Sequence, residues 1–313
     1  MSLRIVFMGT PAFAAYQLEA LCNSKHEVVG VVTMPDKPMG RGMQMQGSAV
    51  KQVAEQYQLP ILQPEKLKDS TFLEALQSLR ADVFVVVAFR MLPEVVWSMP
   101  PKGTLNLHAS LLPHYRGAAP INWAIINGET LTGLTTFLIE KEIDTGQLLL
   151  QVEVAIDEMD TAESLHDKLM AAGPEIIIDT LDQLESNSVN PRPQPTSGSW
   201  KVAPKIFKDT CKVNWDAPAP EVVNFIRGLS PYPGAWTVLH LNDGTAIDTK
   251  LYSARQSSHR LPVGEVRKEG KHMLVGTASS AIEILELQLS GKKRLPSGAF
   301  MAGFDLTKAL KMG

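Results

Sequence analysis

The chain has 313 residues, of which 44% are hydrophobic. That content suits two ordinary globular domains and excludes collagen-like or disordered sequence. Two distant cysteines, Cys22 and Cys211, exclude a disulfide framework and a CxxC-type zinc site, and no metal is expected. The net charge of -3 hides an asymmetry: residues 1–199 sum to -9 and residues 200–313 to +6. A basic second part hints at a polyanionic partner, although an ordinary solvated surface would read the same way.

The N-terminus MSLRIVFMGTPAF has an apolar run of strand length, too short for a signal peptide. No run of 18 apolar residues occurs, so a cytoplasmic, membrane-free protein is expected. Residues 3–8 read as a buried strand ending at Gly9, and a helix follows with Pro11 near its start. Residues 27–33 read as a second strand, and 35–47 as a loop rich in Gly, Pro and Met. Helical spacing returns at SAVKQVAEQY and DSTFLEALQSLR, and 82–88 form a third apolar strand. GTLNLHAS reads as the next strand and its exit, TGLTTFLIEKEIDTGQLLLQVEVAI as two strands around a loop, and 162–186 as a long helix. Apolar strands alternating with helices predict a Rossmann-like, mostly parallel α/β sheet, with its site at the strands' C-terminal ends.

This domain is expected to span 1–188, followed by a Pro-, Ser- and Asn-rich linker at 189–206. Residues 207–313 change to short alternating runs such as WTVLHL and AIEILELQL, which suggest a small OB-like β-barrel.

The densest group of chemical side chains lies in NLHASLLPHYRGAAPINWAIINGE, 106–129. Asn106 and His108 alternate on one face of a strand, near its expected exit. Asp144 sits in the turn EIDTG after the next strand, where topology allows but does not require a meeting with His108. A strand histidine can equally be structural, and Asp144 a turn-former. Acyl transfer to an amine would use all three types. Asn and protonated His can donate to a developing oxyanion, and a carboxylate or imidazole can take the amine's proton. No GxGxxG, P-loop or GxSxG pattern is present.

His108–Pro113, followed by Arg116 and Gly117, resembles the signature of the 10-formyltetrahydrofolate-dependent formyltransferases. The resemblance extends through FMGTPAFA at 7–14, PDKPMGRG at 35–42, the block 104–146 and APKI at 203–206. RGLSPYPGAW at 227–236 and LQLSGKKRLPSGAF at 287–300 continue it. Within the family it is most similar to the members that act on initiator methionyl-tRNA. The resemblance implies a catalytic triad of Asn106, His108 and Asp144. It implies a folate wall of Phe89, Arg90, Met91 and Leu92 with Ile143 opposite, and a floor of Ser110, Leu111, Leu112 and Pro113. It also implies that Arg41 approaches the tRNA acceptor end. Lys205, Lys208, Arg227, Lys292, Lys293 and Arg294 would then contact phosphates, and a monomer is expected.

Two departures stand out. Phe89-Arg90 replaces the family's Tyr-Gly, which could restrain the backbone. The loop after Arg41 carries Met43-Gln44-Met45-Gln46 rather than lysines. The competing readings are transfer to glycinamide ribonucleotide or an amino-sugar nucleotide, formyl-folate hydrolysis, and a non-enzymatic nucleic-acid binder.

Overall fold

The computed structural model describes residues 2–39, 44–195 and 197–313. Two compact units divide the chain, and they interleave in sequence. One gathers 1–116, 133–154 and 166–201; the other gathers 117–132, 155–165 and 202–313. Much of the proline-rich stretch at 189–206 therefore belongs to the first unit.

The first unit is built on a seven-stranded sheet. Its order is Leu148–Ala155, Leu131–Leu138, Thr104–His108, Val83–Val87, Arg4–Gly9, Glu27–Val32 and Ile61–Leu62. The five strands from Thr104–His108 to Ile61–Leu62 pair parallel. VFVVV at 83–87 is buried at every position, as expected for a strand covered on both faces. Helices Ala12–Cys22, Ala49–Gln56 and Ser70–Ser78 supply crossovers. Local chemistry starts two of them: Ser48 Oγ accepts from Lys51 N at 3.0 Å, and the Asp69 carboxylate from Phe72 N at 3.2 Å.

The sheet is mostly parallel, as expected, and antiparallel at one edge. Leu131–Leu138 runs antiparallel to Thr104–His108. Only residues 139–147 separate it from Leu148–Ala155, too few for a crossover. Within 35–47, Lys37–Met39 pairs antiparallel with Gln44–Gln46.

The strand order reverses direction between Arg4–Gly9 and Val83–Val87, the kind of switch point at whose C-terminal side such sheets place their sites. Gly9 is confined there: a Cβ would lie 2.6 Å from Ala14 Cβ and 2.9 Å from the Val87 carbonyl oxygen. Phe7, two residues earlier, is fully buried. Phe7→Ala should cost about 3–5 kcal/mol of stability through lost transfer energy and a cavity, measurable by urea unfolding.

The second unit holds an antiparallel sheet. Its order is Val266–Glu269, His272–Gly276, Ala281–Leu289, Ala246–Gln256, Ala235–Leu241 and Ala309–Met312. AWTVLHL at 235–241 alternates buried and half-buried positions. The last strand returns to the start of the first through a bridge between Glu265 and Lys311. Helix Ala219–Gly228 buries Val222 and Ile226 in the same core as Leu239, Leu251 and Ile284. Trp215 closes that core and donates from Nε1 to Thr237 Oγ1 at 2.9 Å. No helix among the described residues is long and apolar enough to cross a membrane.

Candidate active site

His108 is the last residue of strand Thr104–His108 and is buried. Its Nε2 lies 2.9 Å from the Tyr115 carbonyl oxygen. A carbonyl only accepts, so Nε2 carries the proton there. Nδ1 is the nitrogen left for chemistry, and it lies 3.8 Å from Asp144 Oδ2. That separation is too long for a direct hydrogen bond, and it leaves a reacting group or water room to bridge. Asn106 lies one strand repeat before His108 and is half-buried. Among the described residues, no protein group hydrogen-bonds its amide side chain.

Asp144 reaches the pair from the turn after strand Leu131–Leu138. Its φ of +56° is unusual for a residue with a side chain, though aspartate tolerates it better than most. The turn is pinned by Leu138 N donating to the Gln147 carbonyl at 3.0 Å and Thr145 Oγ1 to the Glu142 carbonyl at 3.0 Å. Gly146 is obligatory, since a Cβ there would lie 1.7 Å from the Leu138 carbonyl oxygen.

Ser110–Pro113, the expected floor, follows His108 and is tied locally by hydrogen bonds. Ser110 Oγ donates to the His114 carbonyl at 2.7 Å, and the Leu112–Pro113 peptide is cis. Thr135 sits directly opposite His108 in the sheet register. It donates to the Ser110 carbonyl at 2.6 Å and accepts from Leu112 N and Gln151 Nε2, both at 3.1 Å. Leu111 packs close to Gly133, where a Cβ would lie 2.6 Å from its Cδ2.

The segment after Val83–Val87 carries the other expected wall. The left-handed residue is Ala88, at φ +46°, and not Arg90, so the replaced glycine imposes no strain at position 90. Arg90 turns its guanidinium onto the chain, donating to the Glu65 carbonyl at 2.8 Å and to the Pro64 carbonyl. It also lies over the Phe89 ring at 5.6 Å, and burial pushes its pKa below the usual arginine value. Leu92 is buried, whereas Met91 and Ile143 are exposed at 73% and 59%.

The basic residues of the second unit separate into two groups. Lys205 and Lys208 line a cavity of about 700 Å3, together with Phe207, Tyr232, Trp236 and Lys250. Lys292 and Lys293 are exposed. Arg227 and Arg294 are engaged internally. Arg227 donates to the carbonyls of Asp157 and Asp160 at 3.1 and 3.0 Å, and burial lowers its pKa. Arg294 donates to the Glu286 carboxylate at 2.5 Å and lies 4.2 Å from the Tyr252 ring centroid. Arg41 and Met43 lie outside the described residues.

Tyr115, Thr135, Gln151 and Gln194 support the site, yet none stands out in sequence. Each acts through a backbone or side-chain contact between segments far apart in the chain. The run TTF at 135–137 gave only strand character.

The chain fits two family models, "Formyl transferase" over residues 3–181 and "Formyl transferase, C-terminal domain" over 205–305. It belongs to the formyl transferase family. Curated methionyl-tRNA formyltransferases are among the relatives of this family member. That of Bacteroides fragilis is 51% identical over 99% of this chain and 98% of its own. That of Parabacteroides distasonis is 52% identical over 96% of both. Solved structures share the formyl transferase fold at low identity. HypX from Aquifex aeolicus matches with a TM-score of 0.65 at 18% identity, over 99% of this chain and 49% of HypX. WlaRD, a sugar 3N-formyl transferase, matches at 0.66 and 18%, over 94% of this chain and all of WlaRD.

Proposed function

We propose that this chain transfers the formyl group of 10-formyltetrahydrofolate to the amino group of initiator methionyl-tRNA. The observation that carries the chemistry is the His108–Asp144 pair, with His108 Nε2 pinned on a carbonyl and Nδ1 facing the carboxylate. Relatives that are half identical along nearly their whole length support the acceptor.

The amine adds to the formyl carbon of the cosubstrate to give a tetrahedral adduct, which then collapses as the bond to N10 breaks. Asn106 donates its amide hydrogen to the carbonyl oxygen as negative charge builds there. His108 donates from Nδ1 to that oxygen when the ring is protonated on both nitrogens, and when neutral accepts the proton in flight at Nδ1. Asp144 takes the proton shed by the amine, at a distance one bridging atom can span, and N10 takes up a proton as tetrahydrofolate leaves. Exposed Met91 and Ile143, with the floor Ser110–Pro113, offer the apolar surface that a pterin ring needs.

The second unit, which we read as an OB-like barrel, contacts tRNA phosphates through Lys205, Lys208, Lys292 and Lys293. Arg41 is placed by resemblance near the acceptor end. Arg227 and Arg294, already paired within the protein, contribute shape more than free charge. We read the enzyme as a cytoplasmic monomer.

Labelled formyl transfer to charged initiator methionyl-tRNA tests this reading, with uncharged tRNA and a UDP-amino sugar as controls. Formylmethionyl-tRNA should form. With four phosphate contacts, tRNA affinity should fall roughly a hundredfold as salt rises from about 50 to 200 mM. Transfer to the amino sugar alone would discard the acceptor and keep the triad.

A further inference from the structure

The proline-rich stretch after the long helix does more than connect. A bridge between Leu148 and Arg192, with N–H to carbonyl distances of 2.8 and 2.9 Å, pins it beside the sheet edge. Two residues on, Gln194 is buried at 7% exposure. Its Nε2 donates one hydrogen to the Asp144 carbonyl at 2.9 Å and the other to the Gly146 carbonyl at 2.8 Å. Its Oε1 accepts from Arg116 Nε at 3.1 Å and from a terminal Arg116 nitrogen at 2.5 Å. Arg116 can only donate, so it sets which way the amide faces. Both hydrogens and both lone pairs of Gln194 are thereby used.

The same stretch reaches the other half of the pair. The Lys201 carbonyl accepts from Tyr115 N at 2.5 Å, and Tyr115 O is the acceptor that holds His108 Nε2. Lys201 N in turn donates to His114 Nδ1 at 3.3 Å, and His114 meets the Trp200 ring edge-on. Tyr115 and Asp144 both have left-handed backbones, at φ +61° and +56°. Such conformations persist only where surrounding contacts over-determine them. Here one stretch of chain braces both.

We propose that Arg192, Gln194, Trp200 and Lys201 act as a strap that positions His108 and Asp144 against each other, with Gln194 as its chief positioning residue. This rests on the reading of that pair as catalytic. Gln194 touches no reacting atom; it sets the height and rotation of the turn that carries Asp144. A shift of about 1 Å in such a group can cost up to about a hundredfold in rate.

The test is a double-mutant cycle on the full chain, crossing Gln194→Met with Asp144→Asn and reading kcat, KM for both substrates and Tm. Gln194→Met keeps the length and apolar bulk but offers no donor. In the Asp144 background, kcat should fall about ten- to hundredfold with each KM within about twofold. In the Asp144→Asn background, the same change should cost less than about twofold, because the group it positions no longer acts. Gln194→Glu repeats the test with the Arg116 pairing retained and both donors lost, should Gln194→Met fail to fold. Equal losses in both backgrounds, unchanged kcat, or unfolding of both Gln194 variants would overturn the strap. Full activity of Asp144→Asn alone would instead overturn the catalytic reading on which the strap depends.

Discussion

His108→Gln should lower kcat for formyl transfer by about two to three orders of magnitude, with a much smaller change in KM. Glutamine is chosen because its amide can still donate toward the Tyr115 carbonyl, which His108 Nε2 meets at 2.9 Å. The buried acceptor then keeps a donor, and the cost of an unsatisfied carbonyl, about 1–3 kcal/mol, is avoided. What glutamine lacks is a ring nitrogen at the Nδ1 position, 3.8 Å from Asp144 Oδ2. Loss of rate without loss of fold would therefore report on that nitrogen. Single-turnover transfer at saturating substrates, with Tm measured in parallel, separates the two effects. If kcat stayed within about threefold of the parent, His108 would be a structural histidine and the oxyanion would rest on Asn106 alone.

Gly146→Ala should be damaging in both stability and rate. The new Cβ would sit 1.7 Å from the Leu138 carbonyl oxygen, a backbone atom that cannot swing aside. The turn has to move, at a cost of about 1–3 kcal/mol from overpacking. Movement also breaks the contact from Gln194 Nε2 to the Gly146 carbonyl and carries Asp144 away from His108. A fall in kcat of up to about a hundredfold should accompany the lower urea midpoint. Gly298→Ala is the matched control, because a Cβ there meets nothing within 4 Å, and its effect should stay within about 0.5 kcal/mol. A stable, fully active Gly146→Ala would mean that Asp144 needs no fixed turn.

The internal pairing of Arg227 and Arg294 bears on how charge is read from sequence. The excess of +6 in 200–313 counts every basic residue equally. In the folded chain, Arg227 is spent on two carbonyls and Arg294 on a carboxylate and a ring. Exposed lysines remain, so the salt dependence of tRNA binding should track lysine substitutions far more than arginine ones. Arg90 follows the same logic: it stands where a glycine was expected, yet it ties down 64–65 and leaves its own backbone unstrained.

Local rules were enough for much of the molecule. Short, β-branched apolar runs such as VFVVV at 83–87 read as strands covered on both faces, and they alternate with helices started by Ser48 and Asp69. The two-residue spacing of Asn106 and His108 already places them on one face, because strand geometry repeats every two residues. The antiparallel edge was not legible, since an apolar run looks alike in either direction. Nor was the helix Ala219–Gly228, or the return of Ala309–Met312 to Glu265, which depends on partners distant in sequence. The meeting of Asp144 with His108 belongs to the tertiary structure alone. It arises because residues 36 apart are brought together by an antiparallel strand pair and a turn with no room for a Cβ. The same is true of 189–206: its prolines predict a linker because they lack the N–H that a helix or a central strand needs. Only folding shows that Gln194 fills every hydrogen bond it can make beneath the Asp144 turn.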